Sequence, residues 1–314
     1  METRKLIKFG GSSHIIAIPN EWIKKNSLGK GDTIYVEENG DNELILHPSF
    51  KEKKYEERHI KINANKLVAA VKREIISAYI NNYNVIEISG NKLKQKRKEI
   101  EELVNNLVAM EIIEEEPNRI VARDFLNMEE VSIDNLIRRI DIIIRFMTER
   151  IFEEDKNIAY EEIRGLDKGV NKLRFLLFKV IKTCMNDNNL SRKLKVSNYG
   201  LLKTWLMVSY LEEIADEVRR FMRFMKNTNL TKEEIAIFNN LFYDIKGSYI
   251  NIMEAYYKND IAKAHEVSSQ RDIHMKKCNG IFKKNTNKDI IPMVEKIKSI
   301  ESWIRCIARG ILNG

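Results

Sequence analysis

Proline and glycine are scarce in this 314-residue chain, with 4 and 13 copies, and cysteine occurs three times. So few breakers exclude a loop-rich architecture and point to long helices with few irregular connections. Cys184, Cys278 and Cys306 are odd in number, far apart and set in helical patterns. They provide neither a disulfide framework nor a zinc knuckle, and reduced thiols of this kind fit a cytoplasmic location. No apolar run approaches the ~18 residues of a membrane span, so no membrane insertion is expected. The N-terminus also lacks the apolar core of a signal peptide, because Leu6 and its neighbours alternate with charge and glycine. The five histidines lie in different elements without an HExxH pattern, and the Gly10-Gly11-Ser12-Ser13 run lacks the spacing and lysine of a phosphate-binding loop. With no nucleophile, base and orienting group in sight, the chain is not expected to be an enzyme.

What is present is charge and helical periodicity. Charged residues make up 32% and apolar ones 43%, a balance suited to a folded, helix-rich protein with room for two or three domains. Two alternating runs, Lys5 to Phe9 and His14 to Ile18, flank the Gly-Gly-Ser-Ser turn. After Pro19, Asn20 is placed to cap a short helix carrying Trp22 and Ile23. Leu28 to Asp32 (LGKGD) leads into strands Thr33 to Glu37 and Glu43 to His47, joined by Asn39-Gly40-Asp41. A ββαββ unit this short cannot bury a core alone and needs a partner copy. Residues 1–30 carry six bases against two acids, whereas residues 31–49 carry five acids and no lysine or arginine. Such polarisation suits DNA backbone on one side and a docked neighbour on the other, against the plain alternative of a solvated surface with chance clustering.

This order of strand, GG-SS turn, strand ending in Ile-Pro, helix ending in LGKGD and hairpin resembles the AbrB/MazE/SpoVT swapped-hairpin DNA-binding family over about residues 3–48. The resemblance implies a β-barrel shared between two chains, in domain 1–50. It also implies DNA contact through basic residues of the N-terminal strands and turn, here Arg4, Lys5 and Lys8, with Ser12 and Ser13 as turn contacts. Arg4 and Lys8 are the leading phosphate contacts, since alternation places them on one side.

Residues 57–123 read as a second unit with pattern βαβαββ. A strand Arg58 to Ile62 is followed by a helix from Asn65 to Tyr83 and a strand Val85 to Ser89. A charged helix Lys92 to Met110 then leads to strands Glu111 to Glu115 and Ile120 to Arg123 around Pro117-Asn118. This is a small two-layer α/β domain with no phosphate-binding glycine loop, suited to spacing or dimerisation.

From residue 128 the period becomes that of long helices. Apolar faces run through Ile133 to Ile151, Ile163 to Val180, Leu211 to Met225, Ile235 to Tyr256 and Ile290 to Ile311, with a weakly patterned helix over Ala262 to Phe282. Thr231 and Glu234 form a capping-box pair ahead of the fourth. Six helices are most economically arranged as tandem three-helix bundles, 128–226 and 230–314.

Within the third helix, Ser209-Tyr210-Leu211-Glu212-Glu213-Ile214-Ala215-Asp216 resembles the signature of PhoU-type phosphate-signalling proteins. That family is a pair of three-helix bundles whose ExxxD motifs bind multinuclear metal clusters. The whole order resembles archaeal PhoU-type phosphate uptake regulators. Glu212 and Asp216 project from one helix face a turn apart, and Asp167 and Asn171 repeat the spacing. Together they offer oxygen ligands for Mg²⁺, Mn²⁺ or iron, against the plain alternative of a solvated face. In the second bundle Ile304, Ile307 and Ile311 match the phase of Leu211, Ile214 and Val218, so that Arg305 and Arg309 stand where Glu212 and Asp216 do. Their forked donors suit anions instead of a cation. By the same logic Asp272 matches Asp167. The Arg219-Arg220, Arg223 and Lys226 cluster is read as cations favoured by a helix C-terminus, and Trp22, Trp205 and Trp303 as packing anchors.

The expected function is a cytoplasmic, homodimeric or larger DNA-binding regulator of phosphate uptake or phosphate-responsive transcription. The competing expectation is an interaction protein that docks on a phosphate transporter ATPase or sensor kinase, with its N-terminal unit serving dimerisation alone.

Overall fold

The computed structural model describes residues 3–38, 43–49, 57–284 and 290–313. The chain divides into two compact units, Met1–Glu56 and Glu57–Gly314.

In the first unit, β1 (Ile7–Phe9) pairs antiparallel with β2 (Ser13–Ile15), with Ile7 opposite Ile15. Gly10, with φ of +67°, makes the reversal, a backbone angle that costs glycine little. The helix α1 (Asn20–Lys25) begins one residue earlier than the capping reading requires. Pro19 occupies the N-cap and Asn20 is already helical, so its side chain makes no cap bond. In the following loop Gly29 N donates to Asp32 Oδ2 at 2.7 Å, and Gly31 takes φ of +99°. β3 (Tyr35–Glu38) then pairs antiparallel with β4 (Leu44–His47). The expected Asn39-Gly40-Asp41 turn lies outside the described residues. Not one described residue of this unit is buried. Leu6, Phe9 and Leu44 are 67%, 65% and 69% exposed, so one chain supplies two hairpins and a helix without a core.

The second unit begins with a four-stranded sheet of order β5-β6-β8-β7. β5 (His59–Asn63) runs parallel to β6 (Val85–Ser89), and β8 (Arg119–Asp124) is antiparallel to both β6 and β7 (Met110–Glu116). Ile62, Ile86, Ile88 and Ile120 share a core with Val71, Ile75 and Tyr79 of α2 (Val68–Ile80) and with Ile100 and Val104 of α3 (Leu93–Asn105). Both helices are shorter than their periodicity predicts. Asn65 does not start α2. Its side chain instead accepts from Lys92 N at 3.1 Å and ties together the loops after β5 and β6. Asn82 and Ala109, at φ of +59° and +58°, close the turns that follow α2 and α3.

The helical body comprises α4 (Ile133–Arg150), α5 (Lys156–Asn186), α6 (Asn188–Lys193), α7 (Asn198–Asn227), α8 (Lys232–Lys258), α9 (Ile261–Lys284) and α10 (Ile291–Leu312). Ser132, Asp155 and Ser197 cap α4, α5 and α7 by accepting main-chain N–H bonds, which satisfies donors the helix itself leaves open. The expected capping box forms, with Thr231 and Glu234 bonded reciprocally. The short α6 escapes the periodic reading because Asp187 ends α5 and caps α6 within one residue. Helices α4, α5 and α7 form one bundle and α8, α9 and α10 the other, with α7 and α10 side by side. One apolar core runs through both bundles. The α/β layer rests on α5, where Phe175 packs against the sheet-side core and Lys179 reaches Asp124 of β8.

Candidate nucleic-acid interface and acidic site

Arg4, Lys5, Lys8, Ser12 and Ser13 are all exposed on the N-terminal hairpin and the chain leading into it. Lys8 faces His14 and Phe9 faces Ser13 across the ladder. The strand is shorter than expected, so Arg4 precedes β1 and only Lys8 is fixed by its alternation. The hairpin therefore brings cations and hydroxyls to one small solvent-facing element, a chemistry suited to phosphate oxygens.

In the first bundle the sequence-predicted acids do come together, but with arginines among them. Asp167 on α5 is 7% exposed. Its Oδ2 lies 3.0 Å from Arg219 Nε on α7, while Arg219 Nη2 donates to Asp216 Oδ1 at 2.6 Å. Arg220 donates to Asp216 Oδ2 at 2.5 Å and to Glu217 Oε1 at 2.6 Å. Arg174 of α5 donates to Glu212 Oε1 at 3.0 Å. Lys296 of α10 stands 3.2 Å from Glu217 Oε2 and carries the network into the second bundle. Asn171 turns its amide to the main-chain oxygen of Asp167 at 3.1 Å. Burial raises the Asp167 carboxyl above its ordinary pKa in spite of Arg219, and burial likewise raises Glu212 against the pull of Arg174.

Of the cluster read as C-terminal dipole cations, Lys226 does lie in the last turn of its helix, but Arg219 and Arg220 do not. The helix continues to Asn227, so both lie well inside it, and they act as ion-pair partners. Their i+3 and i+4 spacing from Asp216 was the available signal. Among the described residues no three carboxylate, imidazole or thiol groups are grouped to hold a metal ion. As arranged, Asp167, Glu212 and Asp216 each present an oxygen to a guanidinium, and this donor set does not fit a multinuclear cluster.

The second bundle differs. Arg305 is half-buried and Arg309 exposed, and among the described residues neither enters an ion pair. Asp272 does not match Asp167. Its side chain is 85% exposed, because the buried face of α9 is Ala264, Val267, His274 and Cys278. Sequence reasoning also missed a buried pair, His274 Nδ1 with Glu301 Oε2 at 3.2 Å. It missed as well a hub joining the bundles, in which Asp141 of α4 accepts from Tyr249 at 2.9 Å, Tyr257 at 3.0 Å and Arg145 at 2.9 Å. Trp205 stacks on Phe178 and Trp303 on Tyr210, as packing anchors do. No helix among the described residues is long and apolar enough to cross a membrane.

Comparison with known proteins adds two likenesses. A family model described as antidote-toxin recognition MazE, bacterial antitoxin, matches residues 7–56. No curated protein sequence matches the chain. Among solved structures, the chain is similar to the phosphate transport system regulatory protein PhoU from Streptococcus pneumoniae, at 16% identity and a TM-score of 0.40, over 58% of this chain and 88% of that chain. The N-terminal unit is thus MazE/AbrB-like, and beyond it the chain carries a small α/β layer and paired helical bundles.

Proposed function

We propose that this protein is a DNA-binding regulator of phosphate uptake or phosphate-responsive transcription, acting by binding and not by catalysis, as a homodimer or larger symmetric assembly. The observation that carries the reading is the first unit: an exposed basic hairpin on a MazE-like fold that leaves its apolar side chains uncovered. A second copy would cover them and set two basic hairpins in one assembly. The phosphate assignment rests on the resemblance of Ser209 to Asp216 to the PhoU signature. A gel-shift series against the gene's own upstream DNA tests the proposal. Affinity should fall steeply with salt, and Arg4→Ala with Lys8→Ala should flatten the slope by ~1.8, about 0.9 per phosphate contact. Wild-type slope and affinity in the double variant would place the DNA contact elsewhere.

The same uncovered apolar residues favour one other reading, in which the N-terminal unit only dimerises and the bundles dock on a transporter ATPase or sensor kinase. Absence of salt-dependent DNA binding, with dimerisation intact, would select it.

The acidic face takes Mg²⁺, Mn²⁺ or iron, on this proposal, only when Arg219 withdraws from Asp167 and Asp216. Calorimetric titration with Mn²⁺ should then show weak binding to the wild-type protein and tighter binding to Arg219→Ala. Equal affinity for the two would show that the guanidinium does not compete.

A further inference from the structure

Between α7 and α10 lies a slot of about 350 Å³ that the DNA and phosphate readings leave unused. Its size is within the range of small-ligand sites. Leu202, Leu206 and Met207 of α7 and Ile307 of α10 make its apolar floor and walls. Leu202 and Leu206 are 52% and 42% exposed, which is unusual for neighbouring leucines on a helix this well packed elsewhere. Contacts between the same two helices flank the slot. At one end Tyr199 Oη donates to Asn313 O at 3.2 Å. At the other Tyr210 stacks on Trp303 with ring centroids 5.8 Å apart. Tyr199 and Tyr210 are separated by about 16 Å along the helix, at 1.5 Å per residue.

Charge on the lining is of one sign. Lys203 stands on the α7 side and Arg309 on the α10 side, and no acidic residue lines the slot. Neither cation enters an ion pair among the described residues. Lys203 lies over the Tyr199 ring at 5.7 Å, a contact that leaves its ammonium open to an anion. Arg309 is unlike Arg174, Arg219 and Arg220 of the first bundle, which are held by Asp167, Glu212, Asp216 and Glu217.

We propose that this slot binds a small amphipathic organic anion, an apolar body with one carboxylate or phosphate ester, whose body fills the floor and whose head lies between Lys203 and Arg309. An inorganic anion would leave the apolar floor wet, and a neutral apolar molecule would leave both cations without a counter-charge. With helix-to-helix contacts at Tyr199 and Tyr210, about 16 Å apart at 1.5 Å per residue, the slot suits a small molecule over a peptide helix, which needs a groove open along its length. The occupant would touch α7 and α10 at once, the two helices that the Glu217–Lys296 pair also joins.

Cys306 lines the slot and is half-buried, whereas Cys184 and Cys278 are buried, so its alkylation reports occupancy. The test is iodoacetamide labelling of the full chain, read at Cys306 by mass spectrometry, with calorimetry on the same samples. Octanoate should slow Cys306 labelling at least tenfold and bind once per chain, while inorganic phosphate and octylamine should do neither. Lys203→Met with Arg309→Met, at surface positions that leave the core intact, should remove the octanoate effect. Equal protection by inorganic phosphate would overturn the amphipathic class. Retained protection in the double variant would overturn the role of the cations. Neither heat nor protection at saturating octanoate would overturn the site.

Discussion

Removing the ammonium of Lys179 would isolate a buried carboxylate where the α/β layer meets the helical body. The Lys179 side chain is 0% exposed and that of Asp124 4%, and the two are ion-paired. Lys179 Nζ also lies 4.2 Å from the centroid of Tyr79, whose hydroxyl donates to Val108 O at 3.0 Å. Burial lowers the pKa of this lysine while Asp124 opposes the shift, so the pair holds two charges that water has largely left. In Lys179→Met the methionine keeps the packing volume, and Asp124 Oδ1 retains its bond from Leu126 N at 3.1 Å. What disappears is the countercharge. Breaking one side of a buried pair costs about 3–5 kcal/mol. For a body of this size that is a fall of about 6–9 °C in the unfolding midpoint. Adding Asp124→Asn removes the stranded charge and should recover most of the loss. Differential scanning calorimetry gives the midpoints, and hydrogen exchange should show the loosening at β8 and the C-terminal third of α5. A single variant within ~1 kcal/mol of wild type would refute the argument, because it would mean that water already reaches the pair.

Three further outcomes follow from the same structure. Ile7→Asp with Ile15→Asp places two charges on paired, uncovered positions of the first hairpin, and sedimentation should show the assembly dissociating while the helical content is unchanged; an unaltered sedimentation coefficient would remove the hairpin from the interface. Asp141→Asn weakens the acceptor shared by Tyr249, Tyr257 and Arg145, and should cost roughly 2–4 kcal/mol in thermal unfolding, since bonds to a charged group contribute ~1.5–3 kcal/mol each and the amide retains part of them; an unchanged midpoint would show the hub to be dispensable. Burial pushes the Cys184 and Cys278 thiols up to about 11, so at pH 8 iodoacetamide should label Cys306 alone in the native protein and all three after unfolding, and native labelling of Cys184 at the rate of Cys306 would contradict that burial.

Much of the molecule is legible along the chain. The long helices declare themselves because each has one apolar face, and all of Leu211, Ile214, Val218, Ile304, Ile307 and Ile311 are buried where the period put them. The capping box before α8 is a local bond between residues three apart and needs no tertiary knowledge. Helix ends were less legible. Asn65 has the chemistry of a cap but spends it on a loop 27 residues away. Gly90 is the other half of that contact: at φ of +152°, a Cβ there would come within 2.9 Å of Asn65 Oδ1. The acidic site was half visible. The spacing of Glu212, Asp216 and Asp167 foretold a gathering of carboxylates, but Arg174 reaches Glu212 from another helix, across 38 residues.

By itself, then, the sequence determined the local units: two hairpins and a short helix too small to bury their apolar residues alone, a small α/β layer, and helices whose faces demanded burial. Period and capping are properties of neighbours in the chain, and neighbours suffice to set them. The tertiary structure alone decided which charges meet. It put Arg219 between Asp167 and Asp216, Lys179 beneath the sheet against Asp124, and set Lys203 and Arg309 beside an apolar slot that no acid lines. Charge acts through space with the same strength whatever the separation along the chain, so its pairing was settled only when the helices packed.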